Sequence, residues 1–241
     1  PEVSFGSTAF LQENTLDFII RGEGEIPLTE AMCRLLSGES YEDVRGLTVR
    51  LADGRIQENP DADVPDMSEV PFPYAELDSL KNRIIYYETM RGCPFHCQYC
   101  LSGGGSKVRF RPLPMVFKEL DLFLSQRVPQ VKFMDRTFNC NREYAMEIWK
   151  YLSEHDNGVT NFHFEMAAEL LDEEMVRWLH TVRRGLFQFE IGVQSTNPDT
   201  LRAVQRVTLP EKLTPIIRAL QKGQNIHLHL DLIAGLPFES Y

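Results

Sequence analysis

The chain reads as an α/β protein built on a parallel sheet with one polar and one apolar face. Two observations predict this. Short strand-like runs alternate with single helical segments from residue 83 onward, the pattern of βαβ units. Several of those runs also alternate strictly between polar and apolar residues. In NFHFEM, Asn161, His163 and Glu165 share one face while Phe162 and Phe164 share the other. In LFQFEIGVQ, Gln188, Glu190, Gly192 and Gln194 oppose Phe187, Phe189, Ile191 and Val193. In IHLHLDL, His227, His229 and Asp231 oppose Ile226, Leu228, Leu230 and Leu232. Ordinary parallel strands are apolar on both faces. Here helices cover the apolar face, and the polar face lines a cavity, because buried polar groups need partners or a ligand. A curved sheet or barrel with a polar lumen meets both demands. An antiparallel sheet with one wet face is the alternative, and the intervening helices argue against it.

The elements follow in order. TLDFIIRGEGE is a short strand entering a turn, and IPLTEAMCRLLSG an amphipathic helix with Cys33 expected in its core. GLTVRLADGRIQENP is a hairpin about an Asp-Gly turn. DADVPDMSEVPFPYAEL, rich in proline and acid, is a linker, so residues 1–80 stand apart from 81–241. Beyond it, RIIYYET (83–89), VKFMD (131–135), NFHFEM (161–166), LFQFEIGVQ (186–194) and IHLHLDLIAG (226–235) are five strands. Helical patterns over 113–127, 141–155, 171–182, 197–206 and 210–222 separate them.

The 241 residues, 43% apolar, suffice for a well-buried core. The chain begins at Pro1 and reads as a piece of a longer protein. No run approaches a membrane span. A net charge of −10 argues against a broad nucleic-acid footprint. Five cysteines, three of them in one short run, fit a metal or redox site in a reducing cytoplasm better than a disulfide framework.

That run is MRGCPFHCQYC, residues 90–100, directly after the first strand of the alternating region, where α/β folds place their chemistry. Cys93, Cys97 and Cys100 can ligate one compact centre. Thiolates select zinc or an iron–sulfur cluster. Structural zinc takes a fourth Cys or His; His96 is poorly placed for it, while Cys140, beyond the next strand, could approach. A [4Fe–4S] cluster on three thiolates leaves one iron open to a small molecule.

RGCPFHCQYC, a CxxxCxxC pattern with an aromatic before the third cysteine, resembles the cluster loop of the radical S-adenosylmethionine (SAM) superfamily. The resemblance implies a [4Fe–4S] cluster held by Cys93, Cys97 and Cys100. It also implies SAM chelated to the fourth iron, with Tyr99 against the adenine. One-electron cleavage of the sulfonium would then give a 5′-deoxyadenosyl radical that abstracts hydrogen from substrate. GVQSTNPDTLRAVQR and DLIAGLP resemble segments of the coproporphyrinogen oxidase branch, implying SAM contacts at Gln194, Arg206 and Asp231. FHFEMAAELL resembles its third strand and implies a ribose-binding carboxylate at Glu165. The branch's Gly-Gly-Glu segment is replaced by KFMDRTFNC, where Asp135 is the nearest carboxylate for the methionine amino group.

Taken together, IIYYETMRGCPF, FHFE and FQFEIGVQS look most like cobalamin-domain radical SAM proteins. PEVSFGS with TLDFIIRGEGE resembles the end of the Rossmann-like cobalamin domain. The implied architecture is a partial TIM-like (β/α)6 barrel, five strands visible, preceded by the C-terminal remnant of that domain. The implied function is radical chemistry on a small-molecule substrate, as cobalamin-assisted methyl transfer or as radical oxidoreduction or cyclisation. An electron donor such as flavodoxin or ferredoxin is the expected partner. A cluster that merely shuttles electrons is the alternative, and it has no use for the polar strand faces.

Other residues carry plainer readings. His227 and His229 are metal ligands or bases, or simply hydrogen-bonded lumen lining. Cys140 is a substrate-facing thiol or an ordinary half-buried cysteine. Gly103, Gly104 and Gly105 cradle a phosphate or form a flexible loop. Glu190 needs a partner in either role. Arg109 and Arg111 bind an anion or are solvated.

Overall fold

The computed structural model describes residues 3–74, 83–101, 107–206 and 210–239. Two compact units divide after Val70, as residues 1–70 and 71–241. The division precedes the expected 80/81 border because the aromatics of PFPY belong to the second unit. Phe72 and Tyr74 lie 5.6 and 5.8 Å, centroid to centroid, from the buried ring of Phe123. Gly103, Gly104 and Gly105 lie outside the described residues.

The first unit holds α1 (Ser7–Glu13), β1 (Phe18–Ile20), α2 (Glu25–Ser37), β2 (Leu47–Arg50) and β3 (Ile56–Glu58). Its strands form an antiparallel sheet in the order β1-β2-β3, and β2–β3 is the expected hairpin. Helix α2 stops at Gly38, which takes φ +72° while its N–H bonds back to the last turn, a left-handed cap that suits glycine. Ala31, Val44, Leu47 and Val49 form the small core. Cys33 is exposed rather than buried. It sits two residues past Ala31, roughly 200° around the helix from the buried stripe.

The second unit holds the five expected strands. They are β4 (Ile85–Tyr87), β7 (Gln130–Phe133), β8 (Asn161–Met166), β9 (Phe187–Gln194) and β10 (His227–Leu232). All pairings are parallel, in the order β10-β9-β8-β7-β4, which excludes the antiparallel alternative. Among the described residues the sheet is open, with β4 and β10 at its edges. Between strands run α3 (Leu113–Ser125), α4 (Arg142–Glu154), α5 (Glu173–Leu179), α6 (Pro198–Ala203) and α7 (Pro210–Gly223). Asn141 and Asp172 cap α4 and α5 by accepting from the backbone N–H of Tyr144 and Met175.

The apolar strand face is an aromatic slab. Phe133, Phe162, Phe164, Phe187 and Phe189 are fully buried, and Phe164, Phe187 and Phe189 pack against Trp149 of α4. Their rings meet mostly at tilted or edge-on angles, such as Trp149 to Phe164 at 6.1 Å and 83°. The opposite face stays partly open: Lys132, Glu165, Gln188 and Glu190 are all of intermediate exposure. This one-sided burial positions the site.

A two-stranded ribbon was not foreseen. Strand β5 (Met90–Arg91) pairs with β6 (Arg109–Phe110) and closes both ends of the cysteine segment. Arg111, just past it, is neither an anion site nor solvated. It is 4% exposed and bonded to Glu119, with Nη2 at 2.5 Å and Nε at 2.9 Å. Tyr87 donates to the same carboxylate at 2.6 Å. Arg109 lies half-buried in β6.

Candidate functional site

The strand registers sort the polar face into rows. Lys132, His163, Gln188 and His227 stand side by side across β7–β10. One step toward the C-terminal ends come Glu165, Glu190 and His229, and beyond them Gly192 and Asp231. Glu190 is the hub. Its Oε2 accepts from Lys132 Nζ at 3.0 Å and lies 3.1 Å from His163 Nε2, off the line a hydrogen bond requires. Burial works to raise the Glu190 pKa, but the Lys132 ammonium, aided by His163 and His229, holds it below the usual carboxylate range. Burial lowers the pKa of His163, and Lys132 adds to this. His229 Nε2 meets the Gln188 amide at 2.9 Å, the lumen-lining role; His227 packs edge-on against His229.

Above these rows, at the C-terminal ends of the strands, opens a strongly polar cavity of about 120 Å³. Arg136, Thr137, Glu165, Met166, Ala167, Glu190, Gly192, Gln194, Arg206 and Asp231 line it. Of the six cofactor-contact residues expected, the structure brings Glu165, Gln194, Arg206 and Asp231 together here.

Gln194 reaches the cavity through an unusual backbone. It takes φ +67° where the β9–β10 register slips, with Leu232 opposite Gln194. Its amide folds back over Gly192, where a Cβ would lie 2.1 Å from Nε2. Its Oε1 is buried with no hydrogen-bond partner. A buried acceptor left open in a polar cavity suits a ligand donor.

Arg206 ties the cavity to the cysteine loop. Its Nη2 donates to the Gly192 carbonyl at 2.9 Å and lies 3.8 Å from Glu169. Its Nη1 lies 3.9 Å from Cys97 Sγ, and the guanidinium sits 5.7 Å from the Phe95 ring centroid. The backbone adds a second tie, Gln98 N–H to the Val204 carbonyl at 2.9 Å.

Within the loop, Cys97 is buried, Cys93 half-buried and Cys100 exposed. Cys93 Sγ meets Thr137 Oγ1 at 3.3 Å. Among the described residues no three His, Cys, Asp or Glu side chains are drawn onto one metal-ion position. The donor set nonetheless fits an iron–sulfur cluster: three thiols on one short segment, a guanidinium beside one sulfur and a hydroxyl beside another.

Two of the expected contact residues do not line this cavity. Asp135 does not reach the cavity. It is fully buried, with Oδ1 accepting from the N–H of Thr89 and Met90 at 2.8 and 2.9 Å and Oδ2 bonded to the Thr89 hydroxyl. It braces the backbone that enters the cysteine loop, and burial pushes its pKa up to about 7. Tyr99 does not line the cavity either. Its pKa is raised, chiefly by burial and then by a hydrogen bond to Cys97. Cys140 Sγ contacts Met90 Sδ at 3.8 Å, and burial, with Cys93 nearby, pushes its thiol up to about 11.

Three cavity-side groups were missed. Lys132 alternates with Val131 and Phe133, so the period-2 reading applied to the later strands would have found it. Arg136 and Thr137 follow β7 in a segment without periodicity, and nothing local marks them.

Residues 87–241 match the radical SAM superfamily. The chain belongs to that superfamily. Radical SAM membership carries with it the [4Fe–4S] cluster and SAM, and the family's barrel accounts for the parallel sheet.

Among relatives, the uncharacterized methyltransferase PH0819 of Pyrococcus horikoshii is 23% identical, over 100% of this chain and 54% of its own length. The cobalamin-dependent radical SAM methyltransferase TokK of Streptomyces tokunonensis is 24% identical, over 93% of this chain and 35% of its own. In fold, the radical SAM methyltransferase TsrM of Kitasatospora setae, solved with cobalamin and a [4Fe-4S] cluster bound, matches with a TM-score of 0.78. It is 18% identical, over 99% of this chain and 51% of TsrM. The chain thus spans about half, or less, of the length of these relatives.

Proposed function

We propose that this chain is the catalytic core of a cobalamin-dependent radical SAM methyltransferase acting on a small molecule. The observation that carries the reading is Arg206, which touches both the cysteine loop and the polar cavity. An electron shuttle has no use for a polar cavity beside its cluster loop. The similarity to TokK and TsrM, which extends over residues 1–70 as well, supports reading the first unit as the end of a cobalamin-binding domain.

Cys93, Cys97 and Cys100 would hold the cluster. When bound, cluster and SAM together supply one-electron cleavage of the sulfonium and a 5′-deoxyadenosyl radical. The chain's own residues orient the adenosyl group. The Glu165 carboxylate accepts from the ribose hydroxyls, the open Gln194 Oε1 accepts from a ligand N–H or O–H, and Asp231 closes the far side. Arg206 offers a hydrogen bond to the sulfur of Cys97, and the Thr137 hydroxyl lies beside that of Cys93. The helix-covered aromatic face keeps water from the sheet's other side. A ferredoxin- or flavodoxin-type protein would supply electrons.

The test uses full-length protein reconstituted without oxygen. The expected result is about four iron and four sulfide per chain, an EPR signal of the reduced cluster that shifts with SAM, and 5′-deoxyadenosine or methionine as product. Cys140→Ser should keep the cluster, and Cys100→Ala should lose it. A cluster that survives Cys100→Ala unchanged overturns the ligand assignment. Cobalamin binding supports methyl transfer; 5′-deoxyadenosine without cobalamin binding points to radical oxidoreduction instead.

A further inference from the structure

Glu165 stands directly opposite Glu190 on the neighbouring strand. Two carboxylates so placed repel and favour proton uptake by one of them. Between them reaches Lys132, its Nζ 3.0 Å from Glu190 and 3.8 Å from Glu165. All three side chains are substantially buried, 22% exposed for Lys132, 20% for Glu165 and 30% for Glu190, so their charges are weakly screened.

We infer that Lys132 is a positioning residue for the adenosyl pocket: by spanning Glu165 and Glu190 it keeps Glu165 ionised and aimed at the cavity. This rests on the reading of Glu165 as the ribose-binding carboxylate. An ionised carboxylate accepts from both hydroxyls of a ribose diol, whereas the protonated acid turns one oxygen into a donor.

Every charged group facing Glu165 enters the balance. Lys132 and Arg136 come from β7 and the segment after it, Arg136 at 3.8 Å. Glu190 comes from β9, and Asp231 and His229 from β10. His163, on Glu165's own strand, faces Glu190 and lies against His229. Even with both cations present, burial first, then Glu190 and Asp231, leave the Glu165 pKa above its usual value. Arg136 is the larger of the two opposing influences but is half exposed, so removing Lys132 leaves a single, solvent-screened cation to oppose two carboxylates.

The experiment measures the dissociation constant of SAM itself in full-length, cluster-loaded protein, with the cluster kept oxidised so that no turnover occurs. Calorimetry or equilibrium dialysis is run from about pH 5 to about pH 9. Wild-type affinity should fall only toward the acid end of the range. Lys132→Met should bind several-fold more weakly at the acid end of that range, with the deficit closing toward high pH. Lys132→Arg should restore most of the affinity. In a Glu165→Gln background, Lys132→Met should have no further effect. Should the methionine variant fail to fold, Lys132→Gln gives the same comparison. A Lys132→Met profile identical to wild type, or a deficit that persists undiminished beside Glu165→Gln, overturns the inference. If Glu165→Gln alone leaves the affinity unchanged, the ribose assignment fails first.

Discussion

The Arg206 guanidinium lies 3.9 Å from Cys97 Sγ with one nitrogen and donates to the cavity wall at Gly192 with the other. One cation therefore serves the sulfur of an expected cluster ligand and the edge of the expected SAM pocket. Its fork geometry makes this possible; a lysine ammonium on the same stem reaches one partner at a time.

Arg206→Lys should accordingly leave the iron content unchanged while lowering the cluster's midpoint potential by on the order of 50 mV. That corresponds to one hydrogen bond of about 1 kcal/mol to a sulfur. SAM affinity should fall in the same variant. Redox titration monitored by EPR, without SAM, checks the first effect independently of the second. An unchanged potential would show that the contact carries no electronic weight.

Gly192→Ala tests the Gln194 geometry. The backbone at Gly192 is one that alanine accepts, so the unit should unfold at nearly the wild-type temperature. The added Cβ would meet Gln194 Nε2 at 2.1 Å and force the amide away. SAM affinity should drop by roughly tenfold, the loss of about one hydrogen bond, and match that of Gln194→Ala. Wild-type affinity would mean that Gln194 does not touch the ligand.

Asp135 makes stability depend on pH. Its folded pKa, about 7, lies above the ordinary aspartate value of 3.8, so between those limits the folded chain holds a proton that the unfolded chain releases. Its contribution is fully present below about pH 4 and is lost as pH rises through about 7. Denaturant unfolding at pH 5 and pH 8 should show this slope, and Asp135→Asn should flatten it. The asparagine oxygen keeps the two backbone N–H bonds, and its amide reaches the Thr89 hydroxyl. Asp135→Ala leaves those donors unpaired and should cost about 1–3 kcal/mol at both pH values.

Much of this architecture was readable from periodicity because one face of the sheet is aromatic and the other charged. Phe162, Phe164, Phe187 and Phe189 alternate with His163, Glu165, Gln188 and Glu190, and burial follows that alternation everywhere but at His163, which is itself buried. The cysteine spacing and the GVQS segment pointed to the site for equally local reasons. What escaped depends on contacts distant in sequence. Arg111 looked like an anion-binding or solvated cation because its partner Glu119 lies on a helix and the ribbon that aims it is two residues long. Asp135 looked like a ligand-binding carboxylate because nothing in KFMDRTFNC reveals that Thr89 and Met90 would claim it. Cys33 was assigned to a core on composition alone, although its helical phase relative to Ala31 places it outside.

The aromatic slab also makes the second unit optically distinct. The chain's two tryptophans, Trp149 and Trp178, both fall in residues 71–241, and Trp149 is wholly enclosed among phenylalanine rings. Its emission should be blue-shifted while that shell is intact and should move to the red when it opens. The first unit contributes no indole to the signal. Tryptophan fluorescence therefore follows the barrel unit alone, and any difference from circular dichroism, which sees both, gives the separate melting of residues 1–70.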